Sequence, residues 1–412
     1  MSSTRKLLGF EFTSLCLIAF LAIANGTAYY DLFGHLASLG IPAGLRGLVV
    51  GAYPLVAMVL YLVASPFLTA RRAPGAMLAG IAILVVGGVS FLLVRSFWGL
   101  LLLRGACGAG GFLLGAGAMA LLVTVIPAGR SGEAFGIYSV AILAAYGLVP
   151  AAMDGAVPRL VGVTTAYALA GLALLPAVGL VLALRRRGPA PALGPDGEPH
   201  LPSWTDLRAS LASPRLVPVL VLGVAYFANW SSLYYLFKGF ATARGLGNVG
   251  VFYSVLTAVM IGIRLLGGRL FDRFDKARLA AFSFGMIALG HLALATLPIA
   301  TAPFVGAFFG VGLGAGYPAL NGLVFELSEP RFRPQNANLM MFAVQLGSFL
   351  GPAVGGALVA RAGYPGYFAG SILLAVASAG LGGVLRSRER AGPRPARAPD
   401  RTGPGPSAPR GG

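Results

Sequence analysis

The chain has 412 residues, of which 57% are hydrophobic and only 11% are charged. A soluble globular protein carries about twice that fraction of charged residues, so this composition excludes a soluble domain. The net charge of +18 would suit a nucleic-acid partner only if the basic residues clustered on one domain, and they do not. The 60 glycines are typical of closely packed membrane helices, where small residues let backbones approach.

Twelve long apolar stretches predict an all-α polytopic membrane protein, because about 20 apolar residues span a bilayer. Six predicted transmembrane helices lie at 11–33, 47–69, 75–94, 97–122, 133–153 and 163–184. Six more lie at 216–238, 249–270, 278–298, 303–326, 335–359 and 364–385. We therefore expect an N-terminal six-helix bundle (1–184), a cytoplasmic linker (185–215), a C-terminal six-helix bundle (216–386) and a disordered cytoplasmic tail (387–412).

The second half of the chain repeats the first. Pro150 recurs as Pro352, an offset of 202 (352 − 150), and Asn25 through Phe33 has a counterpart in the seventh predicted helix. A duplicated six-helix unit predicts two pseudo-symmetric bundles with the substrate held between them, which is the architecture of a secondary transporter. Because the repeat includes the first helix, we expect this segment to stay in the folded protein and not to be a cleaved signal peptide.

The basic residues predict the orientation in the membrane. Most of the 31 Lys and Arg residues lie at the N-terminus, in the linker, in the tail and in the loops after helices 2, 4, 8 and 10. The positive-inside rule therefore places both termini in the cytoplasm, with residues 34–46 and 154–162 outside. The bias towards Arg and the compact loops favour a bacterial inner membrane. The positive charge is thus an orientation signal, and no nucleic-acid partner is expected.

Two segments lie outside the predicted membrane spans. In the linker, Ser203 and Asp206 form an N-cap pattern, and Trp204 shares a helical face with Leu207 and Leu211. The linker is therefore either a short helix on the inner membrane surface or an unstructured connection. The tail is rich in Pro, Arg and Gly and has almost nothing to bury, which predicts disorder.

A loop motif follows the eighth predicted helix. Gly268, Asp272, Arg273 and Lys276 fill the G-x-x-x-D-R-x-x-[RK] pattern of the major facilitator superfamily, which the chain resembles over about residues 10–386. The resemblance implies the twelve-helix fold, alternating access, and a gating loop that braces the two halves when the inner gate is closed. At the repeat position of Asp272 the first half has Ala70, so one brace lacks its acid.

A second superfamily motif, G-x-x-x-G-P-x-x-G-G, is associated with exporters when it lies in the fifth helix. Here that helix keeps only Pro150 in register. The intact motif lies in the eleventh helix, at Gly347, Gly351, Pro352, Gly355 and Gly356. The chain most resembles the proton-coupled multidrug and metabolite exporters, and a proton-coupled importer or facilitator of a small organic solute is the alternative.

Charged residues within the spans point to coupling, because charge in hydrocarbon is costly and usually functional. Asp31 in helix 1 and Arg104 in helix 4 lie at similar depth, and the resemblance makes these helices neighbours at the central cavity. We therefore predict that Asp31 and Arg104 pair and exchange a proton; a static pair, or an Asp31 at the outer interface, is the alternative. We expect Lys238 to reach the surface and His291 to be structural, with a proton relay as the alternative.

The remaining ionisable residues form no catalytic or metal cluster. The three His, at 35, 200 and 291, lie in three different settings, and no Ser-His-Asp set or phosphate-binding loop is present. We therefore predict no enzyme activity, no metal and no cofactor. We expect Arg264 to support the gating loop, and Glu326 to face the cavity mouth or to pair with Arg331 or Arg333.

The predicted cavity is lined by helices 1, 4, 7 and 10. Its candidate substrate-binding residues are Asn25, Tyr29, Tyr30, Tyr226, Asn229, Trp230, Tyr234, Phe309, Tyr317 and Asn321. Aromatic walls with a few amides suit a small amphipathic organic molecule, although the same aromatics would also serve as packing or as interfacial belt residues. The expected partners are a small-molecule substrate, protons and the lipid bilayer, with the protein acting as a monomer.

Overall fold

The computed structural model describes residues 8–64, 68–126, 130–154, 156–187, 213–214, 216–246, 248–271, 274–329 and 332–391. Within these ranges the regular structure is helical. The first half contains α1 (Phe10–Thr27), α2 (Leu32–Ser38), α3 (Ala43–Val63), α4 (Ala73–Ser90), α5 (Phe97–Val125), α6 (Ser131–Asp154), α7 (Ala156–Val161), α8 (Val163–Leu172) and α9 (Leu175–Arg187). The second half contains α10 (Leu216–Ala243), α11 (Gly250–Phe271), α12 (Lys276–Thr296), a 3₁₀ turn (Ile299–Thr301), α13 (Ala302–Leu327) and α14 (Arg333–Ala391).

Ten helical stretches of the described residues are long and apolar enough to cross a bilayer, and Gly250–Leu266 is a shorter apolar helix. The longest, Leu339–Leu385, has 47 residues, which at 1.5 Å per residue is about 70 Å and more than twice the hydrocarbon thickness. Gly363 interrupts it with a φ of 67°, a conformation that glycine adopts readily. The segments before and after Gly363 are thus two helices, which is consistent with the expected twelve spans.

The two arms of α14 run antiparallel. Beyond Gly363, Phe368 packs on Phe240 at the end of α10, whereas Gly382 lies beside Ala281 near the start of α12. The chain therefore turns back at Gly363 and ends on the side of the membrane where α1 begins. We call this side proximal and the opposite side distal.

The first span is discontinuous, whereas the sequence predicted one helix over 11–33. α1 ends at Thr27, residues 28–31 form turns, and α2 starts at Leu32 with Asp31 at its N-cap position. The Asp31 side chain makes no capping hydrogen bond. It folds instead over Gly34, where an added Cβ would lie 2.6 Å from the Asp31 Oδ1 atom. The break thus brings a carboxylate to the distal end of the first span.

The sequence repeat is visible in the packing. Gly108 of α5 lies against the backbone of Tyr53 in α3, and Gly310 of α13 lies against the backbone carbonyl of Leu256 in α11. Gly310 lies 202 positions after Gly108, and Leu256 lies 203 positions after Tyr53 (310 − 108 and 256 − 53). Glycine is required at both positions, because a Cβ would collide with the neighbouring backbone. Each half therefore uses the same helix contact.

Candidate functional site

The two halves meet along two pairs of helices, α3 with the first arm of α14, and α6 with α11. In the first pair Gly47 lies against the backbone of Pro352 and Ala353. In the second pair Gly250 lies against the backbone of Ala151. These contacts occupy repeat-related positions (250 − 47 is 203 and 353 − 151 is 202), so the distal side is closed by two symmetry-related backbone contacts.

A charged cluster lies across the halves on the distal side. The Lys238 Nζ atom of α10 lies 2.9 Å from the Asp31 Oδ2 atom and 3.0 Å from the Asp154 Oδ1 atom. Lys238 also donates a hydrogen bond of 2.8 Å to the Tyr30 hydroxyl, which in turn donates one of 2.9 Å to Asp154. One ammonium group of the second half is therefore shared by two carboxylates of the first.

Asp154 also binds the start of α11. Its Oδ2 atom accepts hydrogen bonds from the backbone N–H groups of Val249 and Gly250, at 2.7 and 3.3 Å. A carboxylate at this position satisfies N–H groups that have no partner within the helix and favours the positive end of the helix dipole. Asp154 thus joins α6, α10 and α11.

The cluster borders a cavity of about 230 Å³, whose lining includes Tyr30, Asp31, Asp154, Tyr167 and Lys238. The side chain of Asp154 is 8% exposed, that of Lys238 18% and that of Asp31 26%. Because the cluster is partly accessible, water and protons can reach it, whereas the surrounding protein limits the screening of its charges.

The expected pair of Asp31 and Arg104 is absent, since Asp31 pairs with Lys238. The Arg104 guanidinium lies over the rings of Tyr29 and Tyr53, with its Cζ atom 4.8 and 5.0 Å from their centroids. Tyr29 stacks on Tyr167 at 4.5 Å, and this aromatic layer lies between Arg104 and the distal cluster. Similar depth along two helices was therefore insufficient to predict contact.

Arg104 is one of the largest fully buried side chains, and among the described residues no carboxylate lies within ion-pair distance of it. Its Nε and Nη1 atoms have no hydrogen-bond partner. The Tyr235 hydroxyl of the second half interacts with the same guanidinium. Cation–π contacts with two rings stabilise this charge in place of an acid.

Aromatic side chains from both halves meet proximal to the cluster. Tyr146 of α6 packs edge-on against Trp230 and Tyr234 of α10, with centroid distances of 5.5 and 5.4 Å. The Tyr234 hydroxyl donates a hydrogen bond of 3.2 Å to the Thr27 carbonyl. Tyr146 remains half-buried, as do Tyr53, Tyr61, Tyr235 and Tyr317. We call these five half-buried tyrosines the aromatic wall.

The other predicted cavity residues divide between the interface and the bundle interiors. Tyr317 is half-buried, and Tyr30, Trp230 and Tyr234 lie at the interface of the halves. Each of the remaining six contacts residues of its own bundle. These contacts are Asn25 with Ala170, Tyr29 with Phe91 and Tyr167, Tyr226 with Leu313, Asn229 with Ala225, Phe309 with His291, and Asn321 with Tyr317. Residue type alone could not separate an inward face from an interface face.

The gating motif is described only in part. Gly268 lies within α11, Lys276 begins α12, and Asp272 and Arg273 lie outside the described residues. Lys276 contacts the Glu326 carboxylate at the end of α13, whereas the side chains of Arg331 and Arg333, the other expected partners of Glu326, lie outside the described structure. This ion pair ties α12 to α13 on the proximal side.

Of three further features singled out in the sequence, the structure describes His291 in full. His291 is fully buried, with its Nδ1 atom 2.9 Å from the Ile287 carbonyl and its ring against Phe309, as expected for a structural histidine. Its Nε2 atom has no partner. Most of the linker 185–215 and of the tail 387–412 lies outside the described residues.

Sequence reasoning missed two residues of the distal cluster. Asp154 was taken only as the start of the outer loop 154–162, and Lys238 was expected to reach the surface. Their charges and their positions were the available signal. Acidic residues of the first half and a lysine of the second half lie near the ends of predicted helices on the same side of the membrane.

The comparisons with known proteins agree with this fold. None of the curated proteins compared with this chain matches it. Among solved structures, the nucleoside transporter NupG is similar with a TM-score of 0.73 and 13% identity, over 92% of this chain and 99% of that one. A POT family transporter in complex with a thioalcohol-conjugated peptide gives 0.72 and 12%, over 93% and 95%. A bacterial homologue of the human lysosomal transporter Spinster, in an inward-facing and unoccupied conformation, gives 0.68 and 16%, over 93% and 96%.

The sequence itself matches the profile of the Major Facilitator Superfamily over residues 15–308 and 303–410. This match covers nearly the whole chain and agrees with the apolar helices, the internal repeat and the paired interfaces. The chain therefore belongs to the Major Facilitator Superfamily and is a multi-pass membrane transporter, not an enzyme.

Proposed function

We propose that this transporter exports a small amphipathic organic solute in exchange for protons, by alternating access. The observation that carries the proposal is the position of Lys238 between Asp31 and Asp154, because this contact links the state of the distal gate to charge. The proposal places the protein as a monomer in a bacterial inner membrane, with its proximal side in the cytoplasm.

Opening the distal side separates the halves and removes Lys238 from the two carboxylates. A carboxylate that loses its nearby positive charge is destabilised, although water that enters the open gate reduces this cost. Protonation of a carboxylate removes this cost, so the open distal gate favours a proton taken from the distal side. Closure returns Lys238 and favours release of that proton.

The charges indicate the stoichiometry. With all three groups ionised, the cluster of Lys238, Asp31 and Asp154 has a net charge of −1. One proton neutralises it and leaves one carboxylate for Lys238. Asp31 is the more exposed of the two acids, and Asp154 is held by backbone N–H groups as well as by Lys238. We therefore assign the exchanged proton to Asp31.

Arg104 has a supporting role in this proposal. It belongs to the same half as Asp31, so it stays with Asp31 when Lys238 moves away, and no acid of the described residues pairs with it. Its positive charge favours the ionised form of Asp31 and therefore assists release of the proton once the distal side has closed. Arg104 thus retains the coupling role expected from the sequence, although it does not contact Asp31 in the distal-closed state.

The first experiment needs no known substrate. Thr257 is buried in α11 beside Gly147 of α6, so a cysteine there reports distal opening to an impermeant maleimide, after replacement of Cys16 and Cys107. We expect labelling from the distal side to increase as the pH falls, because protons replace Lys238. Lys238→Gln should label strongly at every pH. Labelling that depends on neither pH nor Lys238 contradicts the mechanism.

The second experiment measures transport in proteoliposomes under an imposed pH gradient, with a panel of amphipathic solutes. Asp31→Asn should lose accumulation driven by the gradient while keeping exchange of solute down its own gradient. Glu11→Gln, at the proximal end of the same span, is the control that should keep gradient-driven transport. Gradient-driven flux in Asp31→Asn equal to that of the parent protein disproves the role of Asp31. Movement of solute in the same direction as the protons identifies import instead of export.

A further inference from the structure

A second unpaired guanidinium lies in the second half of the protein. The ion pairs of the described residues join Lys238 to Asp31 and Asp154, Lys276 to Glu326, and Arg130 to Glu133. Arg264 of α11 has no carboxylate within ion-pair distance in that part of the chain, and its buried Nε atom has no hydrogen-bond partner. A charge within a membrane span without a counter-ion is costly and marks a function.

The surroundings of Arg264 are aromatic. Its Cζ atom lies 5.8 Å from the centroid of the Tyr317 ring. Tyr317 stacks on Tyr226 at 6.4 Å and meets Phe227 edge-on at 5.3 Å. Tyr317 also lies within electrostatic range of Tyr61, which belongs to the opposite half. Arg264 therefore lies beside the aromatic wall at the interface of the halves.

Arg264 differs from Arg104 in access. Arg104 has only 1% of its surface exposed and lies between two tyrosine rings. Arg264 is half-buried, so part of its side chain remains accessible while the distal side is closed. The side chain of Arg264 is therefore less enclosed than that of Arg104.

We propose that Arg264 binds the anionic group of the transported solute, which makes the substrate an amphipathic organic anion. This inference rests on the proposed function, since it specifies the charge of the solute. A guanidinium donates paired hydrogen bonds to a carboxylate or a phosphate. The buried Nε–H group of Arg264 has no acceptor among the described residues. Phe227 and Tyr317, which are half-buried, supply the surface for the apolar part of the solute.

The test uses three probes with one carbon skeleton: 4-phenylbutyrate, 4-phenylbutan-1-ol and 4-phenylbutylamine. Binding to the full-length protein in detergent is measured by titration calorimetry. We expect the anion to bind at least tenfold more tightly than the alcohol, and the amine to bind most weakly. Arg264→Gln should abolish this preference, and Arg264→Lys should keep a reduced one, because it keeps the charge but loses the paired donors. Arg361→Gln, which removes an exposed arginine of α14, is the control that should bind like the parent protein.

Two further arms identify the anionic group and separate the two proposals. 4-Phenylbutyl phosphate tests whether a phosphate ester replaces the carboxylate, and inorganic phosphate tests whether the apolar part is needed. Equal binding of the amine, no binding of any organic anion, or an unchanged preference in Arg264→Gln overturns the inference. Selective anion binding combined with labelling at residue 257 that ignores pH would overturn the coupling mechanism alone. If Arg264→Lys keeps an anion preference, that variant is folded, and the loss of preference in Arg264→Gln then reflects the loss of the charge and not a failure to fold.

Discussion

The two interfaces between the halves share a backbone contact but differ in their chemistry. Gly47 and Gly250 bring the helices together at repeat-related positions. At the distal end of α6, Asp154 binds Lys238 and the start of α11. At its repeat position (154 + 202) the other interface has Gly356, which lies against the Phe33 ring. Duplication thus preserved the close approach of the helices, while one interface became apolar and the other acquired charge.

This comparison separates two tasks. The apolar interface closes the distal side through the Gly47 and Gly356 contacts, which involve no acid or base, so we assign no protonation step to it. The charged interface can both close the distal side and respond to protons. If this division is correct, changes to the glycines should affect both interfaces alike, and changes to the charges should affect only one.

The largest effect is expected from Gly47→Ala and Gly250→Ala. An added Cβ would overlap the Pro352 carbonyl at the first position and the Ala151 backbone at the second. Overpacking of this kind costs about 1–3 kcal/mol, which shifts the distal-closed state about 5- to 150-fold towards open. Labelling of a cysteine at residue 257 should rise accordingly in both variants.

Gly44→Ala and Gly262→Ala are the matched controls, since a Cβ at either position meets nothing within 4 Å. Both lie on the same helices as the glycines under test, and alanine favours the helix at all four positions. Increased labelling in the controls would show that helix composition, and not close approach, sets the gate. An effect at only one of the two test positions would contradict the symmetry of the interfaces.

A smaller effect, about tenfold, is expected from Asp154→Ala. The change leaves the Val249 and Gly250 N–H groups without their acceptor and Lys238 with a single acid, and an unsatisfied buried group costs about 1–3 kcal/mol. We expect the distal side to open more often and the pH dependence of labelling to persist, because Asp31 remains. Loss of the pH dependence in this variant would assign the exchanged proton to Asp154.

A several-fold effect is expected from Gly34→Ala. The added methyl group would displace the Asp31 carboxylate, which is a flexible neighbour and can move at low cost, and lengthen its contact with Lys238. The pH dependence of labelling should therefore weaken without any change of charge. Gly40 lies on the same distal segment but is unsuitable as a control, because its φ of 75° would strain an alanine. Gly26→Ala is the control, since an added Cβ there meets nothing within 4 Å. Unaltered labelling in Gly34→Ala would argue against the Asp31 geometry.

The smallest effect is expected on the apolar side. The Arg46 Nε atom donates a hydrogen bond of 2.6 Å to the Ile41 carbonyl, and the guanidinium lies 5.6 Å from the Phe33 centroid. These contacts stabilise the turn between α2 and α3 but do not cross to the second half. Arg46→Ala should change distal labelling by about twofold or less and leave its pH dependence intact. A change as large as that of Asp154→Ala would remove the distinction between the two interfaces.

Much of the fold could be predicted from regular patterns in the sequence. Apolar length predicted the spans, and the recurrence of Pro150 as Pro352 predicted the paired bundles, because both depend on local sequence. The break at residues 28–31 was not predicted, since no proline marks it and the apolar pattern continues through Tyr30.

The candidate site was harder to predict. Asp31 was identified because charge is rare in a span, but its partner depends on the rotation of α1 and α10 about their axes, which hydropathy does not define. For the same reason Phe309 was expected at the cavity and lies inside the second bundle. The role of Asp272 in the gating loop remains a prediction, because that residue lies outside the described structure.

The tight backbone contacts at Gly47 and Gly250 have an electrical consequence. With the distal side sealed and the proximal side open to water, most of the membrane voltage would fall across this seal, where the Lys238 cluster lies. Each elementary charge that crosses 100 mV changes energy by about 2.3 kcal/mol. A proton that reaches Asp31 from the distal side would therefore cross the field mainly after binding, when the gate closes behind it. We expect voltage imposed on proteoliposomes to change the rate of gate closure more than the affinity for protons.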